Sequence, residues 1–327
     1  MVTDWDQYRR FDGQQWSALQ PWGGDPIADF VAVGAGEVAG VSIDGDVHVL
    51  KDAGWEPLLD QNSPWLGGIW GFSDQDIFAV GAAGTIIHFD GTVWASQPSG
   101  TAATLECVWG AGPQDVFAGG AGGEILHYDG TAWTVMVPGG DGGVTDLWGS
   151  SGTDVHAVTA RGGILHYDGT AWTPATGGAG YDIHAVWGVS ADLAWAACAS
   201  GHVLRYDGDA WTVLPERAPI VLHVIWATAP DHVVAAGYVG GVSWEFDGQA
   251  WSLREHSTPA SIHGLHGWDR DRLFAVGYGG TAHLISDGQW LPVAPLTTTW
   301  LLEDVWCSPG GNAYAVTMFG GVLRYGK

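Results

Sequence analysis

Tryptophan recurs in this chain with a period close to 40. Trp16, Trp55, Trp94, Trp133, Trp172, Trp211, Trp251 and Trp290 are separated by 39, 39, 39, 39, 39, 40 and 39 residues. Self-similarity at such an interval marks an array of like supersecondary units, none of which can bury its apolar face alone. The array also sets the domain count. A length of 327 residues ordinarily suggests two domains, but units of this kind close on one another, so a single domain over residues 1–327 is expected.

The unit at residues 105–135 reads as four short strands. Strand a is Leu105–Trp109, Asp115–Gly119 is strand b, Glu124–Tyr128 is strand c, and strand d carries Trp133. Gly119, Gly120, Gly122 and Gly123 turn the chain between b and c. The Asp129–Gly130 step predicts a type I′ hairpin, in which both central residues need positive φ. Asp-Gly recurs at 12–13, 90–91, 168–169, 207–208, 247–248 and 287–288, and the repeat of Trp55 replaces it with Asp52–Ala53–Gly54. A second aromatic column, in strand a, runs through Phe30, Trp70, Trp109, Trp148, Trp187, Trp226, His266 and Trp306.

The expected fold is all-β: an eight-bladed β-propeller with four antiparallel strands per blade. The last blade would be shared between about residues 1–20 and 302–327, with Trp16–Leu19 supplying the strand that closes the ring and hides its open edges. Both Tyr8–Phe11 and Val322–Tyr325 read as strand c, so which of them belongs to the ring stays open.

The repeated tryptophans suit the wedge-shaped gaps between twisted sheets. Trp65, Trp244, Trp268 and Trp300 lie off the repeat columns and are the better candidates for a ligand platform. Cys107, Cys198 and Cys307, odd in number and far apart, read as small buried hydrophobes. His88, His127 and His166 share an outer column and read as packing or turn residues; His156, His232 and His256 stand alone.

With 11 basic and 36 acidic residues the formal charge is −25. That balance argues against nucleic acid and anionic membrane, both of which need basic clusters, and favours a neutral or cationic small ligand. No run of about 18 apolar residues is present, so a soluble chain is expected. The first residues lack the apolar core of a signal peptide, and either a cytoplasmic or a secreted, leader-trimmed protein fits. No phosphate-binding Gly-Lys-Ser/Thr loop, nucleophile elbow or paired-cysteine zinc motif occurs.

The pattern D-V-F-A-V-G … H-Y-D-G-T-A-W resembles the repeats of bacterial Trp-rich β-propellers and, distantly, Asp-box repeats. The four-residue step from Asp129 to Trp133 departs from the five of an Asp-box, and the G-H … W-D pairing of WD40 repeats is missing. This resemblance covers nearly the whole chain and implies fold, not activity.

One column carries a functional signal. Three residues before the strand-a aromatic stand, in ring order, Ile27, Gly67, Glu106, Thr145, His184, His223, His263 and Glu303. Strand a lines the channel of a propeller, so these side chains are expected at its mouth. Three histidines plus a carboxylate can fill the coordination sphere of one divalent transition metal: Fe, Mn, Zn or Cu. The expected ligands are His184, His223, His263 and Glu303, with Glu303 and Glu106 as acid–base candidates and Thr145, Asp146 and Asp304 nearby. The design is similar to that of carotenoid-cleaving oxygenases (four histidines on iron) and oligogalacturonate lyases (three on manganese). That likeness implies a metal-dependent oxygenase, oxidoreductase or lyase acting on a small organic molecule. The alternative is a non-catalytic propeller that binds glycan, peptide or protein on its loop face; a structural domain of a larger protein is a third. The concentration of polar residues on the arc from Thr145 to Glu303 favours one axial site over many equal pockets.

Overall fold

The computed structural model describes residues 64–136, 142–178, 180–256, 260–286, 288–293 and 301–325, together with the backbone of short strands at 7–8, 20–21, 27–34, 37–42, 47–51 and 54–57. Each repeat folds as an antiparallel meander, a short strand followed by a Gly-rich turn. Alternating side chains let one blade bury both faces against its neighbours. Six blades have four strands and a last has three, Leu302–Cys307, Ala313–Thr317 and Val322–Tyr325.

Seven inner strands, not eight, form the ring. They are Leu66–Ser73, Leu105–Gly112, Val144–Ser151, Ile183–Ser190, Leu222–Ala229, Ile262–Asp269 and Leu302–Cys307, and each packs on the next. The expectation of eight blades fails at the junction, because Leu302–Cys307 packs directly on Leu66–Ser73. There the Ile69 N–H donates to Asp304 Oδ2 at 3.0 Å. Leu66, Ile69 and Ile77 of the first blade share one apolar cluster with Trp306, Tyr314 and Val316 of the last.

The repeat that sequence counting placed in the ring, Ile27–Pro57, pairs as a four-stranded sheet of its own. It has Phe30 where the ring blades mostly have tryptophan, and its outer hairpin pairs Lys51 with Gly54 across a shorter turn. Repeat number measures homology of units; ring closure is decided by which inner strands fit together. Of the N-terminal segment, Gln7–Tyr8 pairs with Gln20–Pro21, whereas Trp16–Leu19 lies outside the described residues. Val322–Tyr325 is the third strand of the last blade, as one of the two expectations had it.

Strand b is the most enclosed element of each blade. Phe78, Phe117 and Phe274 are buried there, each contributing about 1.5–3 kcal/mol of transfer free energy. Cys107, Cys198 and Cys307 are free and buried, as expected. Burial pushes the Cys198 thiol up to about 12, leaving it unreactive at neutral pH.

Five of the Asp-Gly steps, at Asp90, Asp129, Asp168, Asp207 and Asp247, do not make two-residue I′ turns, whereas Ser286 pairs with Gln289 and leaves the two-residue loop expected at 287–288. Tyr128 pairs with Trp133, leaving four residues in the loop, and no described aspartate has a positive φ. Instead the Asp129 carboxylate accepts from the Thr131 and Ala132 N–H groups at 2.8 and 2.9 Å, while Gly130 takes φ 87°. The same cap recurs at Asp90, Asp168, Asp207 and Asp247. An aspartate that can satisfy two loop N–H groups outcompetes the tighter turn.

Candidate functional site: the channel mouth

Every complete inner strand pairs with strand b through a register shift between its first and third residues. The second residue is left out of the ladder as a bulge. In the ring these residues are Gly67, Glu106, Thr145, His184, His223, His263 and Glu303. Bulges re-aim side chains, and here the device is repeated in every ring blade at the same height. It also resets the alternation along the strand. His263 and His266, three residues apart, would face opposite sides of a regular strand, yet both have partners on the axis side.

The three histidines come together. His184 Nδ1 and His223 Nδ1 stand 3.0 Å apart, one donating to the other according to tautomer, and the His223 and His263 rings are 5.0 Å apart between centroids. His263 Nδ1 faces Glu303 Oε2 at 3.9 Å, and Glu303 Oε1 accepts from Trp65 Nε1 at 2.8 Å. Tyr238 leans over the group, 4.9 Å from His223 and 5.3 Å from His263. The Trp65 ring fills the space that a side chain at Gly67 would need.

Burial sets the charge states. Desolvation lowers all three imidazoles, His223 to about 3 with a further contribution from its two histidine neighbours, so they are neutral at pH 7. Desolvation raises both Glu303 and Glu106, and the Glu303 charge adds to the effect on Glu106. The mouth therefore pairs an arc of neutral imidazoles with two carboxylates that face no lysine or arginine among the described residues.

Below this layer the channel is blocked. Trp70 of the first blade meets Trp187 of the fourth at 6.1 Å, and both pack edge-on to His266 of the sixth at 5.7 and 5.3 Å. Trp109, Trp148, Trp226 and Trp306 instead lie between blades over Gly149, Gly188, Gly267 and Gly71, where a Cβ would collide with the ring. The mouth is thus closed from below.

Other expected residues sit elsewhere or do other work. Asp146 and Asp304 bond to the backbone. Each accepts from its own following N–H and from the neighbouring blade, Val186 N at 2.8 Å and Ile69 N at 3.0 Å, tying inner strands together. Thr145 Oγ1 donates across the blade gap to Ile183 O at 2.8 Å. Of the candidate platforms, Trp244 stacks on Trp251, Trp268 Nε1 donates to Ser308 O, and Trp300 lies outside the described residues; Trp65 alone among the described three reaches the mouth. His88, His127 and His166 bond to Asp76, Asp115 and Asp154 at 2.7, 2.7 and 2.6 Å, joining strands c and b.

His156 does not stand alone. It occupies the column of Phe78 and Phe117, is fully buried, and has no partner for either ring nitrogen. Among the described residues, the ligand atoms that approach one another within 4.8 Å as a potential metal group are those of Asp154, His156 and His166. The His156 and His166 rings are stacked at 4.7 Å and 22°, however. A metal must lie in the plane of each imidazole it binds, and two nearly parallel planes do not meet at bonding distance. This group is a stacked pair, and its geometry does not fit an ion.

One set of residues went unread in the sequence. The first residue after strand b donates its N–H to the carbonyl preceding the inner strand in all seven blades, which fixes it on the rim of the mouth. In ring order these are Ala82, Ala121, Ala160, Ala199, Tyr238, Tyr278 and Met318. The change from alanine to large apolar residues falls after the fourth blade, and an aligned reading of this column would have found it.

The sequence matches no known family profile. One relative, immune protein Tsi7 of Pseudomonas aeruginosa, is 30% identical over 95 residues; the match takes in 27% of this chain and 31% of that protein's length. Solved structures are similar over far more of the chain. The WD40 β-propeller domain of Doa1 superposes with a TM-score of 0.70 at 13% identity, over 81% of this chain and 93% of that one. YCF48 bound to D1 peptide gives 0.68 at 15% identity, over 81% and 92%. YCF48 from Cyanidioschyzon merolae gives 0.65 at 14% identity, over 80% and 95%. At these identities the likeness is one of architecture, and by that architecture the chain is a β-propeller.

Proposed function

We propose that this chain is a non-catalytic binding propeller that receives a segment of a partner protein at the channel mouth. The observation that carries the reading is the inequality of the seven bulge positions: three histidines, two glutamates, a threonine and a glycine at one height. Seven positions that carry four kinds of residue, with the histidines consecutive, suit a single asymmetric ligand. Below them Trp70, Trp187 and His266 meet across the axis, so a ligand held at this height is approached from the mouth. A propeller of similar shape is described as bound to a peptide, and a relative of part of the chain as an immune protein, which supports a protein ligand. The two half-buried carboxylates, which face no lysine or arginine among the described residues, and the net charge of −25 favour a cationic one.

A second reading retains one divalent transition metal, Fe, Mn, Zn or Cu, on His184, His223 and His263, with Glu303 as fourth ligand or base and Glu106 assisting, in an enzyme acting on a small neutral or cationic molecule. The 3.0 Å separation of His184 Nδ1 and His223 Nδ1 favours it, because two nitrogens each 2.0–2.1 Å from one ion stand about 3 Å apart. Neutral imidazoles are also the ligating form. Against it, the ligand atoms of the three histidines are not all within 4.8 Å of one another, so His263 would have to turn inward. Elemental analysis of the purified chain beside His223→Ala separates the two readings. About one equivalent of metal in the wild type and at least a tenfold loss in the variant would establish the metal centre. Metal-free protein after anaerobic reconstitution with the four ions leaves the mouth as a binding site.

A further inference from the structure

We propose that the rim of the fifth, sixth and seventh blades is a docking face for a protein segment in which a lysine or arginine is flanked by large apolar residues. This rests on the binding reading above and names the partner's chemistry. Three consecutive blades present Tyr238, Tyr278 and Met318 immediately after strand b, and the next position adds Val239 and Phe319. Their exposures are 47% for Tyr238, 66% for Tyr278, 38% for Met318, 46% for Val239 and 48% for Phe319. The same two positions in the first four blades hold Ala82 and Ala83, Ala121 and Gly122, Ala160 and Arg161, and Ala199 and Ser200. Single exposed apolar residues are ordinary, but a run of them along one arc, beside a polar pocket, marks an interaction surface.

The arc is tied to the pocket. Tyr238 is in ring contact with His184, His223 and His263, and the turn Tyr278–Gly280 packs on the inner strand that carries Glu303. A single basic side chain entering the pocket would meet Glu303, Glu106 and the faces of Trp65 and Tyr238. It would bring to the two desolvated carboxylates a cation that they do not have among the described residues, with the aromatic rings adding cation–π attraction. The apolar neighbours of that residue would then cover the tyrosines and Phe319. Charge decides between occupants. A chain with 36 acidic and 11 basic residues repels acidic segments, and the carboxylates offer nothing to a purely apolar one.

Random linear peptides displayed on phage, selected on the immobilised full chain, test this directly. Recovered sequences are synthesised and their affinities measured by fluorescence anisotropy against wild type, Tyr278→Ser/Phe319→Ser and Glu106→Gln/Glu303→Gln. The expected result is enrichment of lysine or arginine beside aromatic or branched aliphatic residues, with Kd raised at least tenfold by each double substitution. Peptides that weaken on the glutamate variant yet bind the Tyr278/Phe319 variant unchanged would remove the docking face and leave binding at the mouth intact. Enriched peptides without a basic residue would overturn the charge assignment. Failure to enrich any sequence would overturn the docking face and the binding reading together.

Discussion

The first four blades and the last three share one strand register, one bulge and one rim hydrogen bond, yet they differ in what the rim displays. Blades one to four follow strand b with alanine, and blades five to seven follow it with tyrosine, tyrosine and methionine. The histidine and glutamate arc overlaps the second group, from His184 to Glu303. Elements that maintain the ring are repeated throughout; those that depart from the repeat without serving the ring gather on one side. That separation is what distinguishes a recognition surface from a scaffold in a molecule built of near-copies.

The comparison can be broken at several points. The largest effect is expected at the two aspartates, one in each group, that join inner strands. Asp304→Ala or Asp146→Ala leaves two backbone N–H groups without their acceptor and should cost about 2–4 kcal/mol in urea unfolding. Desolvation raises both carboxyls from 3.8 to about 7, so the folded chain keeps protons that the unfolded chain has released. Their contribution is therefore greatest at low pH and declines as pH rises through 7. The cost of either substitution should be larger at pH 5 than at pH 8, by about 2 kcal/mol. An equal cost at both would mean that the carboxyls are ionised throughout.

A smaller effect, of opposite sign, is expected within the plain group. His156→Phe restores the residue type of Phe78 and Phe117 and removes two orphaned ring nitrogens, and should raise stability by about 1–2 kcal/mol at pH 8. Burial lowers His156 from 6.5 to about 4, so the unfolded chain takes up a proton that the folded chain refuses as pH falls below 6.5. The gain from phenylalanine should grow toward pH 5, a trend that thermal unfolding at the two pH values would read. A loss of stability would instead assign His156 a partner.

The smallest effect tests whether the alanines are imposed by folding. Ala121 and Ala160 are exposed, and Ala121→Tyr/Ala160→Tyr should shift stability by less than about 0.5 kcal/mol. A cost above about 1.5 kcal/mol would make the alanine column a packing requirement and weaken the reading of the tyrosines as a surface kept for a partner.

Much of the fold was legible because packing repeats with the sequence. The strands around Trp109 and Trp133, the buried cysteines and the convergence of His184, His223 and His263 all follow from columns at a fixed period. The blade number was not legible. The repeat of Phe30 and Trp55 has strands of the right order, but closure depends on Leu302–Cys307 fitting Leu66–Ser73, a contact between distant segments that no local pattern encodes. Five of the Asp-Gly turns were misread because the aspartate side chain supplies acceptors that a backbone-only argument leaves out. The tyrosine rim was missed because attention to ionisable residues passes over an apolar column.

The meeting of Trp70, Trp187 and His266 on the axis has a consequence for how any ligand comes and goes. A ring with an open bore can be threaded, so that a chain enters by one face and leaves by the other. Here entry and exit share a single doorway. Two molecules that use it exclude each other however different their chemistry, and a long polypeptide can be held by one projecting residue or a terminus, as a cap holds a stem, but never strung through.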